Sequence, residues 1–132
     1  MRNLIAYLPT AAIFLGLDLI WLALIAKPFY RSQLQPLLAE RFYAPAAAIF
    51  YLLYPVGLCI FVVWPALRSG GAARAMLDGA MFGFFAYMTY DLSNLATLRG
   101  WPIKLTIIDI GWGTLVSGAA AAAGVYLARL LG

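Results

Sequence analysis

A chain of 132 residues that is 65% hydrophobic and only 11% charged, with a mean hydropathy of +0.91, has too few polar residues for a water-soluble domain, where about a quarter are charged. Its net charge of +4 comes from Lys and Arg set between apolar runs, not from a basic stripe interleaved with aromatics. That pattern excludes nucleic acid as the expected partner and points to membrane lipids. The absence of His removes the commonest general base and metal ligand, so no metal or cofactor is expected, and the single Cys59 permits no internal disulfide and reads as a packing residue.

Four apolar runs follow in chain order, at Leu4 to Ala26, Ala44 to Trp64, Ala75 to Leu98 and Leu105 to Leu131. Each is long enough for a helix rising about 1.5 Å per residue to cross a hydrocarbon core of about 30 Å. Barrel strands would alternate polar and apolar residues, and these runs do not. The expected fold is therefore all-α: a polytopic membrane protein, a four-transmembrane-helix bundle forming one integral membrane domain over residues 1–132.

The first run follows a basic start, "MRNLIAYL", but it is too long for a signal-peptide core and contains Asp18, so it reads as a retained helix. The connection after it carries Phe29, Leu34, Leu37, Leu38 and Phe42 among Arg and Gln, the pattern of a short interfacial segment between helices 1 and 2. The second run breaks at "WPALRSGGAARA" and the third at "LRGWPIK", where Gly frees the backbone and Pro removes a donor. Four spans put both termini and the second connection on one side, A, and the other connections on side B. Arg2, Arg68, Arg74 and Arg129 on side A face Lys27, Arg31, Arg41, Arg99 and Lys104 on side B, a balance too even to orient the protein. Gly79 with Gly83, and "SGAAAAAG" from Ser117 to Gly124, are small-residue faces for close helix approach inside the bundle, with a homodimer as the alternative use.

Three Asp residues lie inside the runs: Asp18, Asp91 and Asp109. Each costs about 2.5 to 3.5 kcal/mol at a helix centre. Asp78, one turn from the start of its run, can face headgroups instead. Counted inward from side B, Asp18 is about eight residues deep, Asp91 about seven and Asp109 about five or six, so all three fall in one layer roughly 8 to 12 Å below that surface. "DLIW" and "DIGW" each place an indole three residues after the acid, Trp21 and Trp112, on the same helix face. Tyr87, Asp91 and Asn94 share a face of the third helix, and Arg99 and Lys104 cap the layer from side B. The layer predicts a pocket with Asp91, Asp18 and Asp109 as acid–base residues. Trp21, Tyr87, Tyr90, Asn94, Trp112, Arg99 and Lys104 are its expected ligand-binding residues.

In their order and spacing, "LDLIWLALIAKPFY", "FYLLYPVGL", "YDLSNLATLRGW" and "DIGWG" resemble an uncharacterised bacterial family of four-span membrane proteins, domain-of-unknown-function family 2177. Asp18, Trp21, Tyr90, Asp91, Asn94, Thr97, Leu98, Trp101, Asp109, Trp112 and Gly113 fall on its pattern. Ser93 stands where Thr is expected and Pro55 where a small residue is expected, and Pro55 predicts a kink in the second helix. The resemblance implies a multi-pass protein of the bacterial inner membrane and supplies no activity.

Three functions fit the layer. The first is a pocket for a small hydrophobic or lipid-like molecule entering from the bilayer, with Asp91 as base and Asp18 or Asp109 as acid if the molecule is chemically altered. The second is a non-catalytic subunit whose polar layer holds the bundle together or docks a partner. The third is a proton-coupled transporter of small cations, which the position of the acids nearer side B than the midplane disfavours.

Overall fold

Runs this apolar satisfy their backbone polar groups in hydrocarbon by closing each N–H onto a carbonyl one turn back, and helices form throughout. The computed structural model describes residues 2–26, 28, 29, 32 and 43–132, with no strand among them. α1 is Arg2–Trp21 and closes with a π-helical turn, Leu22–Ala26. α2 is Ala44–Arg68, made of an α-helical stretch to Leu58, a π-helical turn at Cys59–Val63 and a last turn at Trp64–Arg68. α3 is Gly71–Thr97 and α4 is Ile103–Leu131. The interfacial segment expected between the first two helices lies outside the described residues.

Among the described residues three stretches are long and apolar enough to cross a membrane: Leu4–Leu24, Ala44–Arg68 and Ile103–Leu131. The protein is an all-α membrane bundle. α3 has the length, 27 residues, but Asp78, Asp91 and Asn94 lower its apolarity and it is not one of the three. The second helix outruns its expected end at Trp64. Pro65 sits in the first turn of Trp64–Arg68, where an N–H has least use, and the stop comes at Ser69, which is extended, and Gly70, at φ +99°. The regular ladder gives way to the π turn at Cys59–Val63 directly before Pro65, whose missing N–H would otherwise have bonded one turn back within that stretch.

Helices in lipid gain little from apolar burial against one another, so close backbone approach carries the packing. α3 and α4 run antiparallel in the most extensive contact of the bundle. A Cβ on Gly79 would stand 2.8 Å from the Ser117 carbonyl oxygen, and one on Gly118 2.9 Å from the Met76 carbonyl oxygen, so both glycines are spent on this seam. The small-residue faces therefore pack within the chain. α1 meets α4 the same way, with Thr10 seated on Gly124. The side A half is filled by fully buried Ala6, Phe14, Leu58, Cys59, Val63, Val116, Ala121 and Val125. At its outer end Arg74 Nε donates to Asp78 Oδ2 at 2.7 Å, which accounts for that acid, and Arg129 donates to the Leu67 carbonyl at 3.3 Å.

Candidate functional site

The side B half is hollow. Between α1, α2, α3 and α4 lies a cavity of about 530 Å³, and its wall includes Asp18, Asp91 and Asp109 together. The helix periodicity that sets their common depth also turns all three inward.

Asp18 is held from two sides. The Tyr51 hydroxyl on α2 donates to its Oδ2, and Trp112 Nε1 on α4 donates to its Oδ1 at 2.8 Å. Both oxygens act as acceptors, the pattern of a carboxylate, and the residue ties three helices at one point. The same Trp112 lies flat on Trp21, with centroids 4.5 Å apart and planes 5° from parallel. The two DxxW steps thus build one object, an indole pair locked by a carboxylate.

Asp91 differs. It is fully buried, and neither carboxyl oxygen has a donor among the described residues. Asp109, on α4, lines the same cavity, so two carboxyl groups share this part of the wall, separate from the clamped Asp18. Trp21 Nε1 and Trp101 Nε1 are likewise buried without an acceptor among the described residues.

The floor is aromatic. The hydroxyls of Tyr54 and Ser117 bond at 2.7 Å, fixing the Tyr54 ring beside Phe14 (4.9 Å) and edge-on to Tyr87 (6.1 Å). Tyr87 lies against Gly113, where any Cβ would run into its ring. The second glycine of "DIGWG" is needed for that close approach. At the rim, Tyr90 packs edge-on against Trp101 at 5.9 Å and bonds Asn94. Phe50 on α2 and Tyr90 on α3 both line the cavity and are 40% and 58% exposed, so it reaches the outer surface between these two helices.

Of the residues expected from sequence, Asp18, Trp21, Tyr87, Tyr90, Asp91, Asp109 and Trp112 stand in the wall. Asn94, Arg99 and Lys104 do not. Asn94 is one turn nearer side B and braces Tyr90, Arg99 is exposed, and Lys104 lies over the Phe29 ring at 5.8 Å. Tyr51, Tyr54, Phe50 and Trp101 also line the cavity and were missed. The depth count finds the first two: Tyr51 is about seven residues in from the side B start of α2, level with the acids, and Tyr54 is one turn deeper. Among the described residues no group of three His, Cys, Asp or Glu is arranged to hold a metal ion.

Comparison with known proteins gives one family match: a family described as predicted membrane protein (DUF2177) fits residues 3–126. No curated protein and no solved structure matches.

Proposed function

The chain belongs to DUF2177, a family of predicted membrane proteins, and we propose that its task is to hold a small amphipathic molecule, taken from the bilayer, in the cavity around Asp91. The observation that carries this is the state of Asp91: two carboxyl oxygens fully buried, lining a cavity, with no donor among the described residues reaching either. Buried polar groups without partners are costly, and a bound molecule with an N–H or O–H would supply what is missing. A volume of about 530 Å³ is in the ordinary range for small-molecule sites, roughly 300 to 1,000 Å³, and such sites pair apolar walls with a few polar groups.

The mouth between Phe50 and Tyr90 lies at the depth of the acids, within the hydrocarbon, so the natural route of entry is lateral. In this reading α3 is the fourth span, kept less apolar because its polar face turns inward, and the protein sits multi-pass in a bacterial inner membrane. Asp91 and Asp109 stand together in the wall beside the bound molecule, where acid–base chemistry would need its carboxyl groups, while Asp18 positions Trp112. The filled side A half favours a pocket over a through-path for a transporter.

Native mass spectrometry of protein released from native membranes tests the proposal. Wild-type protein should retain a small molecule. Ala86→Trp, which fills the cavity from α3, should not. The same bound species in both proteins would refute it.

A further inference from the structure

We propose that the cavity takes a neutral head group that carries hydrogen-bond donors and an acceptor together, as a primary carboxamide does, on a hydrocarbon body. This rests on the pocket reading above and names its ligand class. Several polar groups of the wall are already bonded to one another or to a neighbour: Asp18 accepts from Tyr51 and Trp112, and the Tyr54 hydroxyl bonds Ser117. Left without a partner among the described residues are both oxygens of Asp91, which is fully buried, and the buried indole nitrogens of Trp21 and Trp101. All three of these side chains line the cavity. A carboxylate oxygen needs a donor, whereas an indole N–H, which only donates, needs an acceptor. Each is costly to leave unmatched away from water, and a buried Trp N–H usually finds a partner.

Both kinds of unmatched group in one wall restrict what can satisfy it. An alkylammonium brings donors alone and leaves the two indoles unmatched; an ester, a ketone or a fatty carboxylate brings acceptors alone and leaves Asp91 unmatched. A primary carboxamide has two N–H donors and a carbonyl oxygen with two lone pairs, which equals the two oxygens and two indole N–H groups count for count. The match does not depend on the charge of Asp91, because an amide also pairs with a protonated carboxyl group by exchanging one donor and one acceptor. A neutral head also enters from the bilayer without carrying a charge through hydrocarbon. Leu22, Phe50, Ala86 and Leu105 supply apolar wall for the body.

The test uses the full chain in nanodiscs of zwitterionic phosphatidylcholine, with octanamide and nonan-2-one as probes. The two share one outline, the NH2 of the first being a methyl group in the second, so the ketone keeps the acceptor and lacks the donors. Each is titrated calorimetrically, and the heat of partition into protein-free nanodiscs is subtracted. Saturable octanamide binding, at least about tenfold tighter than that of the ketone, is the expected result, because the ketone leaves a buried acceptor unpaired. Asp91→Leu replaces the carboxyl group with an apolar group of similar size and should close the gap between the probes. Trp101→Phe removes the N–H, keeps an aromatic ring beside Tyr90 and should weaken both probes by about threefold or more. Should neither variant fold, the wild-type contrast decides. Equal binding of the two probes that Ala86→Trp abolishes overturns the head-group assignment and leaves the pocket standing. An amide preference that survives Asp91→Leu, or unchanged binding in Trp101→Phe, also overturns the assignment. No saturable binding by either probe overturns both.

Discussion

Replacing Asp91 with Asn keeps the shape of the side chain and exchanges one acceptor oxygen for a group with two N–H donors. In the wild type both Asp91 oxygens are buried without a partner among the described residues, and Asp109 lines the same cavity. The amide can donate directly to Asp109 and leaves one buried carbonyl oxygen where there were two unpartnered oxygens. Relief of one such acceptor is worth about 1 to 3 kcal/mol. Asp91→Asn should thus raise stability by an amount near the lower end of that range, the new amide having its own second N–H to place. Equilibrium unfolding in mixed micelles of increasing sodium dodecyl sulfate, followed by Trp fluorescence, reads the difference. If Asp91 were instead paired with a cation such as Arg99 or Lys104, removing its charge would strand a buried positive group and cost about 3 to 5 kcal/mol. A loss of more than about 1 kcal/mol would refute the account of Asp91 as a residue awaiting a donor.

Three further outcomes follow from the packing. Gly113→Ala drives a methyl into the Tyr87 ring and should destabilise by about 1 to 3 kcal/mol in the same assay, whereas Gly16→Ala meets nothing within 4 Å and should be neutral or slightly favourable. Asp18→Asn cannot accept from both Tyr51 and Trp112; it should cost about 0.6 to 1.7 kcal/mol, the range for interhelical bonds in membranes, and weaken the near-ultraviolet circular dichroism of the Trp21–Trp112 stack. Asp78→Asn breaks an exposed pair with Arg74 and should change stability by less than about 1 kcal/mol, measured by the same unfolding curve.

Depth was legible in the sequence because a helix converts residue number to distance at a fixed rate, and that is how Asp18, Asp91 and Asp109 could be placed at one level. Direction around each axis was legible only where two residues of known kind share a face, as in the two DxxW steps. What each acid bonds to was not. The sequence offers no way to see that Tyr51 reaches Asp18 from another helix, so Asp18 and Asp109 looked interchangeable as partners of Asp91. Asn94 shows the complementary error: it lies on the face of Asp91, but one more turn lifts it past the cavity to the Tyr90 hydroxyl. The apolar average of α3 misled in the other direction, since a helix that turns its polar residues inward scores as less membrane-like than its surroundings require.

The π turn of α2 divides that helix into parts with different neighbours. Cys59–Val63 and Trp64–Arg68 are wedged among the other three helices, whereas Ala44–Leu58 leans chiefly on α1. An irregular turn beside the more enclosed end makes Cys59–Val63 the place where this helix would bend, against the hold of the Tyr51–Asp18 and Tyr54–Ser117 bonds. A small rotation there moves Phe50 and Tyr51 through a larger arc than any residue of the side A core. A bend there would change the width of the mouth between α2 and α3, a helix shift of the kind that takes microseconds to milliseconds, without opening the seam of α3 and α4. Because Tyr51 is a donor to Asp18, the same swing would release one hold on the Trp112 indole and couple the width of the mouth to the order of the stack behind it.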